Sequence, residues 1–472
     1  MWVRLLVKQL TKVPGITVVL AGRDAPDWQN AHPFHKKQNI FRSFSLSYFS
    51  DKEAGDFLAQ KEITNPAYKR YFKQWAAVNR NRYSPLLLNI CCDIVLYAQS
   101  NNHKIDAEEF RIMPASEDEK LYALVKKFFQ TIDRELGLAI IALNACQTVD
   151  PARFLLMGKA FYFDALESMY RQISAFAIAE PECAGKNIQF RFHKSIARNI
   201  SKYGNKIVRA AHQHLLEYFQ KEEARGVETA TAAMIYHANC LRWEQGVLEW
   251  IREFDQALSE NRYNFIRLLF SLSGKLHVDS DYWQARIAQA KGDYYAKTND
   301  CNLATAFYND ALATLDTFLA TNERDADAVI AKVVVLQRLT QIHARENQHD
   351  KAAECYNTAI QGCDALLEQS PNELTVICKK ADLQTSFGRY FLSQNKPEDT
   401  NQQLTNALAT TGEALSRAPE HAGALLQKAI VLAELGALYQ YSGKNEAAIS
   451  HFNDAILLFN EAIRHGEEKA ET

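Results

Sequence analysis

The run Gly292, Tyr295, Ala304, Tyr308, Ala311 recurs 48 residues later as Thr340, His343, Ala352, Tyr356, Ala359. It recurs again as Gly388, Phe391, Thr400, Leu404, Ala407, and a fourth time as Gly436, Tyr439, Ala448, Phe452, Ala455. A polar or glycine position keeps the same step: Asn299, Asn347, Asn395, Gly443. A fixed period through several copies is the mark of a repeat architecture and decides the fold class first. In each copy the small residue and the aromatic three later share one face of a helix. The second stretch presents a small residue, a large one four later and a small one three after that. Small residues let two helices approach, and the large one fills the groove beside them. Each copy therefore predicts a helical hairpin, and a hairpin that cannot bury its face alone stacks on the next.

The spacing G-x2-Y-x8-A-x3-F-x2-A resembles the tetratricopeptide repeat. The usual repeat is about 34 residues, so the extra length here is expected to extend the second helix. Leu315, Phe318 and Leu319, with Leu367, Leu415 and Ile463, continue its apolar stripe. Residues 281–472 are accordingly read as four tetratricopeptide-like repeats, an α-solenoid that offers a surface to a protein or peptide. The recurring residues are packing residues and bring no catalytic group.

Composition agrees with a mainly α chain. There are 18 Gly and 11 Pro among 472 residues, too few for a collagenous or low-complexity chain. Nine cysteines, an odd number with no C-x-x-C pair, argue against a disulfide framework or zinc ribbon and for thiols in a reducing cytoplasm. No run of about 18 uninterrupted apolar residues occurs, so no membrane association is expected. Met1 opens no recognisable signal peptide, because Arg4 and Lys8 interrupt the apolar stretch. Net charge is −2, but it is unevenly divided. Residues 1–276 carry 37 Lys and Arg against 29 Asp and Glu, and residues 277–472 carry 17 against 27.

The first half reads differently. Residues 2–12 have an amphipathic helical pattern, and residues 16–22 (ITVVLAG) read as a buried parallel strand. Ser50 with Glu53 three later is a capping box opening a helix. Another helix is expected over 66–79. Ser84 and Pro85 start a further one, with proline in the first turn. Residues 117–200 predict three or four helices, then a strand over 188–192 leading through His193 into a helix.

This order resembles the second half of a STAND-class NTPase module of the NB-ARC and NACHT type. The features are a strand ending in AGR, the stretch L…FS.KEA..FL, a Pro-Leu-Leu-Leu helix and a strand-to-helix step near His193. The resemblance implies that Arg23 corresponds to a nucleotide sensor and that Pro85 belongs to a G-x-P turn near adenine. It also implies that His193 corresponds to the histidine of an M-H-D-L-x-x-R motif that touches the diphosphate. Phe192 and Arg198 match that motif in kind. Tyr83 replaces the glycine of the turn, and Lys194 stands where the family has aspartate. On this reading residues 1–48 form a partial α/β NTPase-like segment. Residues 49–112 form a helical domain, 113–225 a winged-helix-like domain, and 226–280 a helical connector that includes Tyr236, His237, Trp243 and Trp250.

No G-x-x-x-x-G-K-[ST] run is present to cradle phosphates. ATP or ADP binding is therefore not expected, and no cofactor, metal or catalytic residue is assigned. His212 and His214 lie two apart, which does not align two ligands on a helix. The expected function is a non-catalytic scaffold or regulatory protein derived from a STAND-type ATPase, binding a partner through its repeats. Two alternatives are a DNA-binding regulator using the winged-helix-like domain, and the C-terminal half of a split signalling ATPase. Nucleic acid is the weaker expectation, because the basic residues of 1–276 are spread rather than clustered. The inner-face stretches of the first helices, expected at about 284–297, 332–345, 380–393 and 428–441, hold Asp293, Asp382 and Glu434 against nine cations, among them Arg338, Arg389 and Lys428. These three cations are the candidate partner groove, which would seat an acidic or mixed polar segment.

Overall fold

A computed structural model describes residues 48–184, 187–223 and 226–470. The expected helix at 2–12, the strand at 16–22 and Arg23 lie outside the described residues. The chain divides into two compact units, residues 1–205 and 206–472. That division falls inside the stretch 113–225 that the sequence groups together.

In the first unit, α1 (Asp51–Gln60) opens on the capping box: Glu53 N donates to Ser50 Oγ, and Ser50 N donates to Glu53 Oε2. α2 (Pro66–Ala76) stops at a small hairpin, β1 (Ala77–Asn79) against β2 (Arg82–Tyr83), so the helix is shorter than expected. α3 (Pro85–Ser100) starts on the Ser84 cap with Pro85 in its first turn. It is apolar nearly all round because α1, α2 and α4 (Glu117–Thr131) all pack on it. Next come α5 (Arg134–Leu143), α6 (Pro151–Phe161) and α7 (Glu167–Ala175). The hairpin of β3 (Ala179–Ala184) and β4 (Asn187–Phe192) follows, then α8 (Lys194–Tyr203). Val149 bridges Phe190 on the outer edge of β4. Phe190, Phe154 and Tyr170 close the small core below it.

The second unit is helical throughout its described residues. α9 (Asn205–Glu223), α10 (Glu228–Leu241), α11 (Trp243–Ser259) and α12 (Tyr263–Ser273) lead in, around buried Trp250, Phe254 and Phe265. Four hairpins follow: α13 (Asp281–Lys297) with α14 (Cys301–Leu319), and α15 (Ala326–Arg345) with α16 (His349–Gln369). Then α17 (Leu374–Ser393) pairs with α18 (Pro397–Arg417), and α19 (Ala422–Tyr441) with α20 (Asn445–Ala470). The protein is mainly α, with a tetratricopeptide-like solenoid over its last four hairpins. The added length lies in both helices of a hairpin: α15 and α17 have 20 residues, and α16 and α18 have 21.

The repeating residues explain the hairpins physically. Asn299, Asn347 and Asn395 take the left-handed conformation, φ 60°, 57° and 58°, and Gly443 does so at 75°. Asparagine and glycine are the residues that tolerate it. The N–H one residue later then donates back to the carbonyl of Tyr295, His343, Phe391 or Tyr439, so the recurrent aromatic position also closes the helix end. Tyr308, Tyr356 and Leu404 are buried at the equivalent site, and Phe452 is half-buried in the last copy. Gly292 is small because it must be. A Cβ there would stand 2.5 Å from Tyr308 Cε1, and one on Gly436 would stand 2.9 Å from Phe452. α19 has the length and hydropathy of a membrane span, yet Leu425, Ala429, Leu432 and Gly436 are buried within the array.

Candidate interaction surface

The first helices of successive hairpins, α13, α15, α17 and α19, touch one another as well as their own second helices. The second helices make no comparable contact among themselves. First helices therefore line the inner face of the array, and second helices the outer. Polar side chains cross each seam of that inner face. Arg338 Nε lies 3.0 Å from Asp293 Oδ1. Gln337 Nε2 donates to Asp382 Oδ2 at 3.1 Å, and Arg389 Nε lies 2.7 Å from Glu434 Oε1. Each pair spans 45 residues, the period of 48 less about one helical turn. Adjacent first helices are thus offset by a turn, and the register is written in these contacts.

Two more cations are held by carboxylates of the preceding second helix: Lys332 by Asp316 at 2.6 Å, and Lys380 by Asp364 at 2.5 Å. Tyr308 donates its hydroxyl to Asp293 at 2.7 Å, and burial holds its phenol far above the ordinary range. Half-exposed pairs of this kind contribute about 0–1 kcal/mol each. Their main consequence is the pattern they present: alternating, internally matched charge. Of the predicted groove residues, Arg338 and Arg389 lie on the inner face and are engaged across seams. Lys428 is half-buried on α19, with no ion-pair partner among the described residues.

The residues matched to a nucleotide site stand on separate elements. Pro85 opens α3. His193 caps α8, its Nδ1 2.8 Å from Ser195 Oγ and its Nε2 3.6 Å from Glu180 Oε1. On α7 the pair Glu167–Arg171 is exposed, and on the hairpin Arg191 reaches both Glu180 and Glu182. Among the described residues of α7 and the hairpin, three acids face two arginines.

The sequence reading missed a buried histidine pair. His212 Nδ1 lies 2.9 Å from His237 Nδ1, with α9 and α10 supplying one ring each. Phe219 stacks on His237, and burial pushes the His212 imidazole down to about 4. The only signal was two helical segments each with a histidine on an otherwise apolar face, 25 residues apart. Thiol chemistry is suppressed by the same physics. Burial pushes Cys92, Cys146 and Cys363 up to about 12 and Cys91 well above its ordinary value. None is poised as a thiolate.

No protein-family model and no curated protein matches the chain. Among solved structures it is similar to a Signal Transduction ATPase with Numerous Domains (STAND) protein with a tetratricopeptide repeat sensor from Pyrococcus horikoshii. That alignment has 12% identity and TM-score 0.29 over 92% of this chain and 76% of that one. It is also similar to BtubC from P. vanneervenii, at 16% identity and TM-score 0.32 over 53% and 89% of the two chains. A MamA structure (MSR-1) aligns at 15% identity and TM-score 0.23 over 46% and 98%.

Proposed function

We propose that this is a non-catalytic interaction protein that captures a polar protein segment on the inner face of its helical repeats. The observation that carries the reading is the fourfold series of first helices, whose polar side chains meet across every seam. A packed solenoid of this kind has an extended surface with regularly spaced hydrogen-bonding groups and no enclosed reaction chamber. Matched alternating charge favours a partner segment that carries both signs over a purely acidic one. The order of features in the first unit supports descent from a STAND-type ATPase. There, a helix, the Val149 bridge, α6, α7 and the β3–β4 hairpin succeed one another as they do in a winged helix. Eight described cysteines are free thiols, in keeping with a reducing, cytoplasmic setting. The ion-paired charge of α7 and the hairpin, three acids against two arginines among the described residues, gives the DNA-binding alternative no support.

Site-specific photo-crosslinking tests the reading. A photo-reactive residue in place of Gln341, exposed on α15 between Arg338 and Arg345, is expected to trap the partner. The same residue in place of Glu354, exposed on the outer helix α16, is expected to trap nothing above background. Equal trapping from both positions would remove the inner face from consideration.

A further inference from the structure

The last hairpin differs from the three before it in what its second helix exposes. Ile456 occupies the position of Leu312, Ile360 and Leu408, and Ile463 that of Leu319, Leu367 and Leu415. The upstream side chains are half-buried, packed into the clusters shared with the following hairpin. Ile456 and Ile463 are 56% and 58% exposed. Ile449, a further two turns back, is 60% exposed, and Leu457 on the adjoining flank 67%. On α19, Leu426 is exposed where its counterparts Ile330 and Cys378 are half-buried. Ile456 and Ile463 thus stand uncovered at positions that this fold half-buries in every earlier copy. Ile449, and Leu457 at a position that is exposed in the earlier copies too, extend them into an exposed apolar patch of the sort that marks an interaction site.

The pattern on the face is complementary to itself. Ile449, Ile456 and Ile463 fall seven residues apart, two turns, and so form one ridge along α20. Exposed Asn453 and Asn460 lie beside that ridge, on a common side. If the helix is reversed end to end about Ile456, the ridge reads the same. Ile449 then meets the partner subunit's Ile463, and Ile456 meets the partner subunit's Ile456. Asn453 comes beside the partner subunit's Asn460, so each buried amide has an amide to bond, as an unpaired one would not. Glu446 and Arg464, both exposed, lie on one flank, ten residues before Ile456 and eight after it. The same reversal sets Glu446 against the partner subunit's Arg464, opposite charges at each rim. A two-fold interface needs such a surface, in which residue i meets j and j meets i.

We infer that α20 is a dimer interface on which a second copy of this chain packs its own α20 antiparallel, with the two-fold axis at Ile456. This goes beyond the inner-face reading and does not depend on it, because α20 is a second helix and lies on the outer side of its hairpin.

Sedimentation equilibrium on the full chain tests it. Over about 1–100 µM the wild type is expected to associate as monomer and dimer, in the range of a modest interface. Ile456→Glu is expected to remain monomeric with an unchanged circular dichroism spectrum, since the side chain it replaces faces solvent. In a second arm, Ile456→Cys should form a disulfide-linked dimer under mild oxidation, because the axis sets the two sulfurs side by side. Asp454→Cys, exposed but off the ridge, and the wild type should not. A wild type that stays monomeric throughout would overturn the inference. So would a dimer that Ile456→Glu leaves intact, or equal cross-linking through Asp454→Cys.

Discussion

Replacing Ala359 with arginine should cost several kcal/mol and unfold the repeat array at a much lower temperature. Ala359 is 1% exposed on α16, in the cluster that holds Tyr356, Cys363, Val333 and Phe387. A guanidinium there has no partner and no route to water, and an unpaired buried charge is among the largest single-site penalties. It also overfills a contact built on a small residue. Because each hairpin contacts chiefly its neighbours, the loss should spread along the array rather than remain local. Gly362→Ala, three residues on, is the control. Nothing lies within 4 Å of where its Cβ would sit. In mid-helix it should stabilise by up to about 1 kcal/mol. Thermal unfolding followed by circular dichroism reads both. An Ala359→Arg protein that melts with the wild type would mean that the hairpins do not pack through this site.

The two units should respond to pH with opposite signs. His212 and His237 share a bond between their Nδ1 atoms, which requires one to donate and the other to accept. A proton on the accepting ring removes the acceptor, and burial opposes the charge. The folded His212 is held at about 4, below its ordinary 6.5. The unfolded chain therefore binds more protons between those values, and stability rises with pH across them. This contribution is fully present above about pH 6.5 and is lost as pH falls toward 4. It amounts to about 3 kcal/mol, from the shift of a group that is nearly fully buried. In the first unit, Asp93 on α3 accepts the Ala177 N–H at 2.6 Å, and burial pushes its carboxyl up to about 6. Here the folded state holds the proton more tightly. Its contribution is present at acid pH and is lost as pH rises through 6, again by about 3 kcal/mol. Unfolding measured from pH 4.5 to 7.5 should show a positive slope that His212→Gln flattens and a negative one that Asp93→Asn flattens. Matching slopes in both variants and the wild type would contradict this assignment.

The hairpins were legible because their spacing has one physical meaning. A small residue opposite a large one fixes how closely two helices approach, and Asn299, Asn347, Asn395 and Gly443 supply the left-handed turn. The capping box at Ser50 and the proline start at Pro85 were equally local, and both are present. Contacts between segments were harder to read. Counting along 284–297, 332–345, 380–393 and 428–441 leaves nine cations against three acids. Four of those cations, Lys332, Arg338, Lys380 and Arg389, are paired in the structure. Two of their partners, Asp316 and Asp364, sit on second helices that such a count omits. The seam pairs follow from the period only once the one-turn offset between neighbouring hairpins is known. His212 and His237 are joined by tertiary packing alone, and spacing along one helix could not associate them.

The most direct test of the proposed function keeps the fold and alters only what the inner face presents. Arg389→Glu combined with Glu434→Arg preserves the seam pair with its charges exchanged, and Lys428→Glu reverses a half-buried cation elsewhere on α19. The triple variant should retain the wild-type melting transition, because exposed ion pairs contribute little and this one is conserved in kind. Capture of the partner that the wild-type chain recovers from lysate of its own cells should weaken by about tenfold or more, a change of at least about 1.4 kcal/mol. Undiminished capture by a variant that melts like the wild type would contradict the claim that the inner face of the repeats is the binding surface.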